Sequence, residues 1–185
     1  MSIACPGAAD IFLRVTLDSG FEADLAPWTA DGADLGDPPV TWSIVRSQDR
    51  AAEGTWSARL SLDNLNDQGK IWIEQGVGNL EPGRRYDVRI SFSLATADFG
   101  SLNLWRIIAG ASGADPETAA GLIFQDDTGN GAGSDVGFRW IEKSYQTDAV
   151  ASAGGTLWFA IGVWGTSEFS RTYYVDRVHI TLTRQ

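Results

Sequence analysis

Apolar and polar residues alternate with a period of two in short runs separated by Gly, Pro, Asp and Asn, which is the pattern of half-buried strands rather than helices. The clearest run covers residues 85–94, where Tyr86, Val88, Ile90, Phe92 and Leu94 share one face and Arg85, Asp87, Arg89, Ser91 and Ser93 share the other. Such a strand turns one face to a core and the other to solvent or ligand. Comparable runs at residues 11–16, 41–46, 58–62, 70–77, 102–109, 136–142, 157–164 and 173–182 bring the expected total to about nine strands. Turn formers such as Asp37-Pro38-Pro39 and Glu53-Gly54 separate them. The spacing predicts an all-β, two-sheet antiparallel sandwich. One short helix is predicted over residues 115–122, where Asp115-Pro116-Glu117 offers an N-terminal cap and a proline in the first turn.

The 185 residues suit one domain over positions 1–185, with residues 1–10 read as an N-terminal extension, and no internal repeat is visible. A hydrophobic fraction of 43% beside 21% charged residues excludes a disordered chain. Eight Trp against one Met, one Cys and one His removes most transition-metal ligands and most activated nucleophiles. Cys5 has no second cysteine with which to form an intramolecular disulfide. A formal charge of -10 gives an average field that repels nucleic acid and anionic membranes, so neither is expected as a partner. The longest apolar run, residues 157–164, is far short of the roughly 20 residues needed to cross a bilayer, so membrane insertion is not expected. The opening Met1-Ser2-Ile3-Ala4-Cys5-Pro6 lacks the basic start and apolar core of a secretory signal.

Catalytic signatures are missing. No strand carries the Glu-x-Asp-x-x-Glu pattern of sandwich glycosidases, and Glu74 and Glu142 stand alone. His179 has no Gly-x-Ser-x-Gly elbow to accompany it, and no Gly-rich loop leads into a Lys and a helix. The acidic loop from Asp126 fails as an EF-hand because its twelfth position is Gly137 in place of a bidentate Glu. The expectation is a chain that is not an enzyme. Binding chemistry is better represented. Residues 157–164 put Trp158, Ala160, Gly162 and Trp164 on one face, two flat aromatics flanking small residues, which suits the apolar face of a pyranose ring. Arg89 and Ser91 are candidates for hydrogen bonds to sugar hydroxyls, and Trp105 with Asn103 on the same parity extends the candidate surface. Burial of both Trp residues in a doubly covered strand is the alternative. Trp28, Trp42, Trp56 and Trp72 are read as core or turn packing.

Four stretches occur in an order that carries further information. Asp18-Ser19-Gly20-Phe21-Glu22 is followed by Trp28; Ala52-Glu53-Gly54-Thr55-Trp56 leads into a strand; Gln75, Val77, Leu80, Pro82, Gly83 and Tyr86 follow; and Tyr174-Val175-Asp176-Arg177-Val178 closes the series. Together they resemble the signatures of the jelly-roll carbohydrate-binding modules of families four, nine and twenty-two, with one extra residue before Leu80 and little match over residues 95–155. The resemblance implies jelly-roll topology and non-catalytic binding of a poly- or oligosaccharide or cell-surface glycan on the concave sheet. It also implies a structural calcium ion held by Glu22, Asp176 and the backbone of Gly20 and Gly54. Turn carbonyls and carboxylates are suitable ligands for a hard cation. The competing expectation is an oligomeric structural or attachment protein of a virion or appendage, favoured by a chain that opens without a secretory signal. Either reading places the chain outside a cell, at a cell surface or on a virion.

Overall fold

The computed structural model describes residues 14–97, 105–127, 137–165 and 170–185. It is a two-sheet antiparallel sandwich. In chain order the strands are β1 Arg14–Ser19, β2 Thr29–Ala33, β3 Trp42–Ser47, β4 Ser57–Leu62, β5 Lys70–Val77, β6 Arg85–Thr96, β7 Trp105–Ser112, β8 Phe124–Asp127, β9 Arg139–Val150, β10 Leu157–Gly165 and β11 Arg171–Arg184. The six-stranded sheet runs β3-β4-β11-β6-β9, with β1 also paired to β11; the five-stranded sheet runs β2-β5-β10-β7-β8.

The alternation of β6 works as its sequence suggests: Tyr86, Val88, Ile90, Phe92 and Leu94 are buried, and Arg85 and Arg89 are exposed. From the opposite sheet Leu157, Phe159, Ile161 and Val163 of β10 have no exposed surface, and the two inner faces form one continuous apolar cluster. Each such side chain contributes roughly 1.5–3 kcal/mol on leaving water, so period-two patterning fixes which face of each strand turns inward.

Three departures from the sequence pattern bear on the site. Strand β2 is Thr-Ala-Asp-Gly-Ala, a turn-like composition that is extended only because it pairs along β5, Asp31 opposite Trp72. The helix expected over residues 115–122 reduces to one 3-10 turn, Ala119–Gly121. Thr118 before it is extended, and the segment instead runs across the outer face of the five-stranded sheet, where Leu122 is buried against Trp72, Ile108 and Ala160. Burial of Leu122 outweighs the short helix, which has too few turns to be stable alone. Finally, β11 bulges: Asp176 pairs with Ser93 and His179 with Ser91, and the residue inserted between, Arg177, has φ of 51°. The bulge turns Asp176 under the residue 52–54 turn.

Candidate functional site

The calcium candidates come together. Asp176, with no exposed surface, accepts backbone N–H bonds from Ala52 (2.7 Å) and Glu53 (3.1 Å) at Oδ2 and from Arg177 (2.7 Å) at Oδ1. Glu22 Oε1 accepts from the backbone of Thr55 and Trp56, each at 2.9 Å, and a Cβ on Gly54 would lie 2.7 Å from the Glu22 carboxyl carbon. Gly20 lies beside Asp176, its Cβ position 3.8 Å from Oδ1. Arg46 donates to the carbonyls of Phe21 and Glu22 and lays its guanidinium 3.3 Å over Trp56, which fixes the chain on the far side. Burial pushes the Asp176 carboxyl up, opposed by its N–H donors and reinforced by Glu22, whereas the Trp56 and Thr55 N–H groups hold Glu22 down. The cluster is oxygen-only, with Glu22 Oε2 accepting none of these bonds, and this suits a hard cation. Among the described residues no three His, Cys, Asp or Glu side chains converge to hold a metal, so an ion here would depend on backbone carbonyls for most of its ligands.

The saccharide candidates divide. Arg89 and Ser91 lie on the outer face of the six-stranded sheet, in a polar hollow with Ser144, Gln146, His179 and Thr181. Trp158 and Trp164 lie on the outer face of the five-stranded sheet, on the other side of the molecule. Strand parity assigns a residue to the inner or outer side but not to a sheet, which is why the sequence grouped them. Asn103 is outside the described residues; Trp105 opens β7 opposite Gly165, and its side chain is likewise outside them.

On the five-stranded sheet the two Trp rings are half-exposed and six residues apart, roughly 20 Å along the strand. Trp158 lies flat on β5, where a Cβ on Gly76 would be 3.2 Å from its ring atoms, so glycine is what allows the indole to seat there. Trp164 donates from Nε1 to the Asp67 carbonyl at 3.2 Å, meets Phe124 edge-on at 5.4 Å and carries Lys70 Nζ 4.6 Å from its ring. Between them lies Trp72, fully buried yet outside the main core, in a small cluster with Ile108, Leu122 and Ala160. The expected open ground beside Ala160 and Gly162 is therefore filled by Trp72 and roofed by Leu122.

Glu74 does not stand alone. Its Oε2 accepts from Trp72 Nε1 at 2.7 Å, and the Asp115 carboxyl of the crossing segment is near enough for its charge to act on Glu74. Burial raises the Glu74 carboxyl, with the charges of Asp115, Asp31 and Glu117 adding to the effect against the Trp72 donor. Burial also raises Asp115, and Asp31 adds to it. Carboxyls raised on folding bind protons more tightly in the native state, so their contribution to stability is complete below the ordinary carboxylate range and declines as pH rises through the folded values. Glu74→Gln keeps an acceptor for Trp72 without the charge. Its melting temperature should exceed that of the parent at pH 7 and fall toward or below it at pH 4; a variant destabilised at both pH values would refute this account.

No family model matches the chain, and no curated protein matches it in sequence. Solved structures do match. The CBM22-1 xylan-binding domain of Paenibacillus barcinonensis Xyn10C superposes with a TM-score of 0.52 at 14% identity, covering 96% of this chain and 99% of that one. The fold is that of the jelly-roll carbohydrate-binding modules. It is shared with the K3 cleaved adhesin domain of Lys-gingipain from Porphyromonas gingivalis, with a TM-score of 0.54 at 13% identity over 91% of this chain and 98% of that one. At such identities the likeness speaks for architecture, and function has to be argued from the surface.

Proposed function

We propose that the chain is a non-catalytic saccharide-binding module that lays a poly- or oligosaccharide along β10 on the outer face of the five-stranded sheet. The observation that carries this reading is the pair of half-exposed indoles, Trp158 and Trp164, held on one strand with a buried Trp72 bracing the sheet between them. A spacing of roughly 20 Å spans several pyranose units, and flat indoles bind the apolar faces of sugar rings while leaving the hydroxyls to water and polar neighbours. Glu74, opposite Ala160 on the same face, with Asp115 near it, and Lys70 and Arg106 around Trp164 add acceptors and donors between and beside the two rings. Isothermal titration with neutral oligosaccharides tests the reading: heat and a quench of Trp fluorescence are expected with at least one, and neither with any would refute it.

The likeness to an adhesin domain favours a second reading, attachment through a protein or assembly contact. Appendage proteins are built on closed symmetry whereas appended modules are usually monomers. Sedimentation at micromolar concentration separates them: a monomer supports the module, and a trimer or larger ring supports the attachment role. Either role places the chain outside a cell, at a cell surface or on a virion.

A structural calcium ion at Gly20, Glu22, Gly54 and Asp176 is part of the proposal. Its support is the pairing of a carboxyl raised by burial with a second carboxyl that retains an uncommitted oxygen. The ion would tie the bulge of β11 to the residue 20–22 and 52–56 turns. At pH 7 calcium should raise the melting temperature and chelator reverse it, and the shift should shrink as pH falls and the carboxyls protonate. Asp176→Ala should abolish the calcium response and cost about 2–4 kcal/mol by stranding backbone donors of the turn. An unchanged melting temperature with calcium would exclude the ion.

A further inference from the structure

The outer face of the six-stranded sheet carries an aromatic group that the reading above leaves unused. Trp140, Ala95, Tyr174, Arg59 and Val45 form one row across β9, β6, β11, β4 and β3. Ala95 is small and fully buried, so Trp140 and Tyr174 stand on either side of it, 6.5 Å apart and inclined at 56°. Phe138, 38% exposed, closes the third side, 6.2 Å from Trp140 and 5.9 Å from Tyr174, with the Arg50 guanidinium 4.8 Å over its ring.

Ion pairs flank the rings: Arg59 pairs with Asp49 at 2.7 Å, and Arg177 with Glu142 at 3.3 Å, where Ser93 also donates to Glu142 at 2.7 Å. Beyond them the same face continues into hydroxyl and amide groups, in rows Ser144–Ser91–His179 and Gln146–Arg89–Thr181. Trp140 to Gln146 is roughly 20 Å along β9. Ion pairs beside partly exposed rings complement a neutral ligand dense in hydroxyls, since each pair offers a donor and an acceptor to neighbouring hydroxyls, and the Arg50 and Arg89 guanidiniums add further donors. Large aliphatic side chains are few on this face, Val45 being the one in the aromatic row, which distinguishes it from the apolar core of a protein interface.

We propose that this face is a second saccharide site, taking a neutral oligosaccharide with one ring on Trp140 and Tyr174 and the chain running over Ser144, Ser91, Gln146 and Arg89. It lies on the opposite side of the sandwich from Trp158 and Trp164, and the domain is then bivalent. Two faces on one rigid body join two glycan chains, or two segments of one, and raise avidity on a surface without any new contact.

The test is a fluorine NMR titration of the whole chain labelled with 5-fluorotryptophan, using xylohexaose, cellohexaose and galactotriose, with the Trp140 resonance assigned by its loss in Trp140→Phe. The Trp140 resonance should shift with at least one sugar, and should shift equally in a Trp158→Ala, Trp164→Ala double variant. In the intact chain Arg89→Ala should weaken the Trp140 response about tenfold, the effect of about 1.4 kcal/mol of lost contact. Movement of Trp158 or Trp164 with Trp140 fixed would overturn the second site and leave the first. Movement of Trp140 alone would keep the second site and overturn the first, and no movement of any Trp would overturn both. A Trp140 shift that follows protein concentration rather than sugar would make the face a self-association surface and overturn the proposal.

Discussion

Gly162→Ala should prevent stable folding, or cost more than about 3 kcal/mol, the upper range for overpacking in a close-packed interior. Gly162 lies in the middle of β10 opposite Trp72 of β5. A Cβ there would lie 2.6 Å from the Trp72 Cα and closer still to the Ile71 carbonyl oxygen. Both are backbone atoms of a paired strand, so no rotamer change relieves the clash, and β5 and β10 would have to separate. Separation would also open the cluster of Trp72, Ile108, Leu122 and Ala160 that braces the face between Trp158 and Trp164. Urea denaturation of the variant checks this; a loss below about 1 kcal/mol would show that the two strands can part there at little cost.

Trp158→Ala and Trp164→Ala should each weaken saccharide binding on the five-stranded sheet by roughly a hundredfold, equivalent to about 2.7 kcal/mol, because each removes one ring-stacking platform. Their stability effects should differ. Trp164 is held by Asp67, Phe124 and Lys70, and its loss should cost roughly 1–2 kcal/mol, less than the 3–5 kcal/mol of a fully buried Trp because the ring is half-exposed. Trp158 rests on Gly76, with no hydrogen bond from its indole among the described residues, and should cost less. Trp72→Ala provides the contrast: fully buried, it should lose about 3–5 kcal/mol. Titration calorimetry and urea denaturation on the three variants separate platform from brace. Binding unchanged in both Trp158→Ala and Trp164→Ala would remove them from the site.

How much of this was legible in the chain follows from what alternation encodes. In β6 and β10 every second residue is large and apolar, so the inner face can be read directly, and the Gly-Phe-Glu and Tyr-Val-Asp stretches led to Glu22 and Asp176, which the fold does bring together. Strand β2 was not legible because its extension is imposed by β5, against a composition that favours a turn. Trp72 read as ordinary packing, and its position on the outer face became visible only with the residue 115–124 segment folded over it. Arg89 and Ser91 were grouped with Trp158 and Trp164 although β6 and β10 belong to different sheets, because parity cannot report sheet membership. Trp140 and Tyr174 are separated by 33 intervening residues and meet only through the β9-β6-β11 register, which no local pattern encodes.

The central claim is that the outer face of the five-stranded sheet binds saccharide. A glycan array probed with the intact chain and with the Trp158→Ala, Trp164→Ala double variant, each with and without chelator, tests it most directly. Selective binding by the intact chain to neutral glycans, with those held on the five-stranded sheet lost or weakened by at least a hundredfold in a double variant that remains folded and only those held at the Trp140 face retained, is the result predicted here, with chelator acting through stability rather than selectivity. A blank array from the folded intact chain, or the same glycans bound undiminished by the double variant, would contradict it.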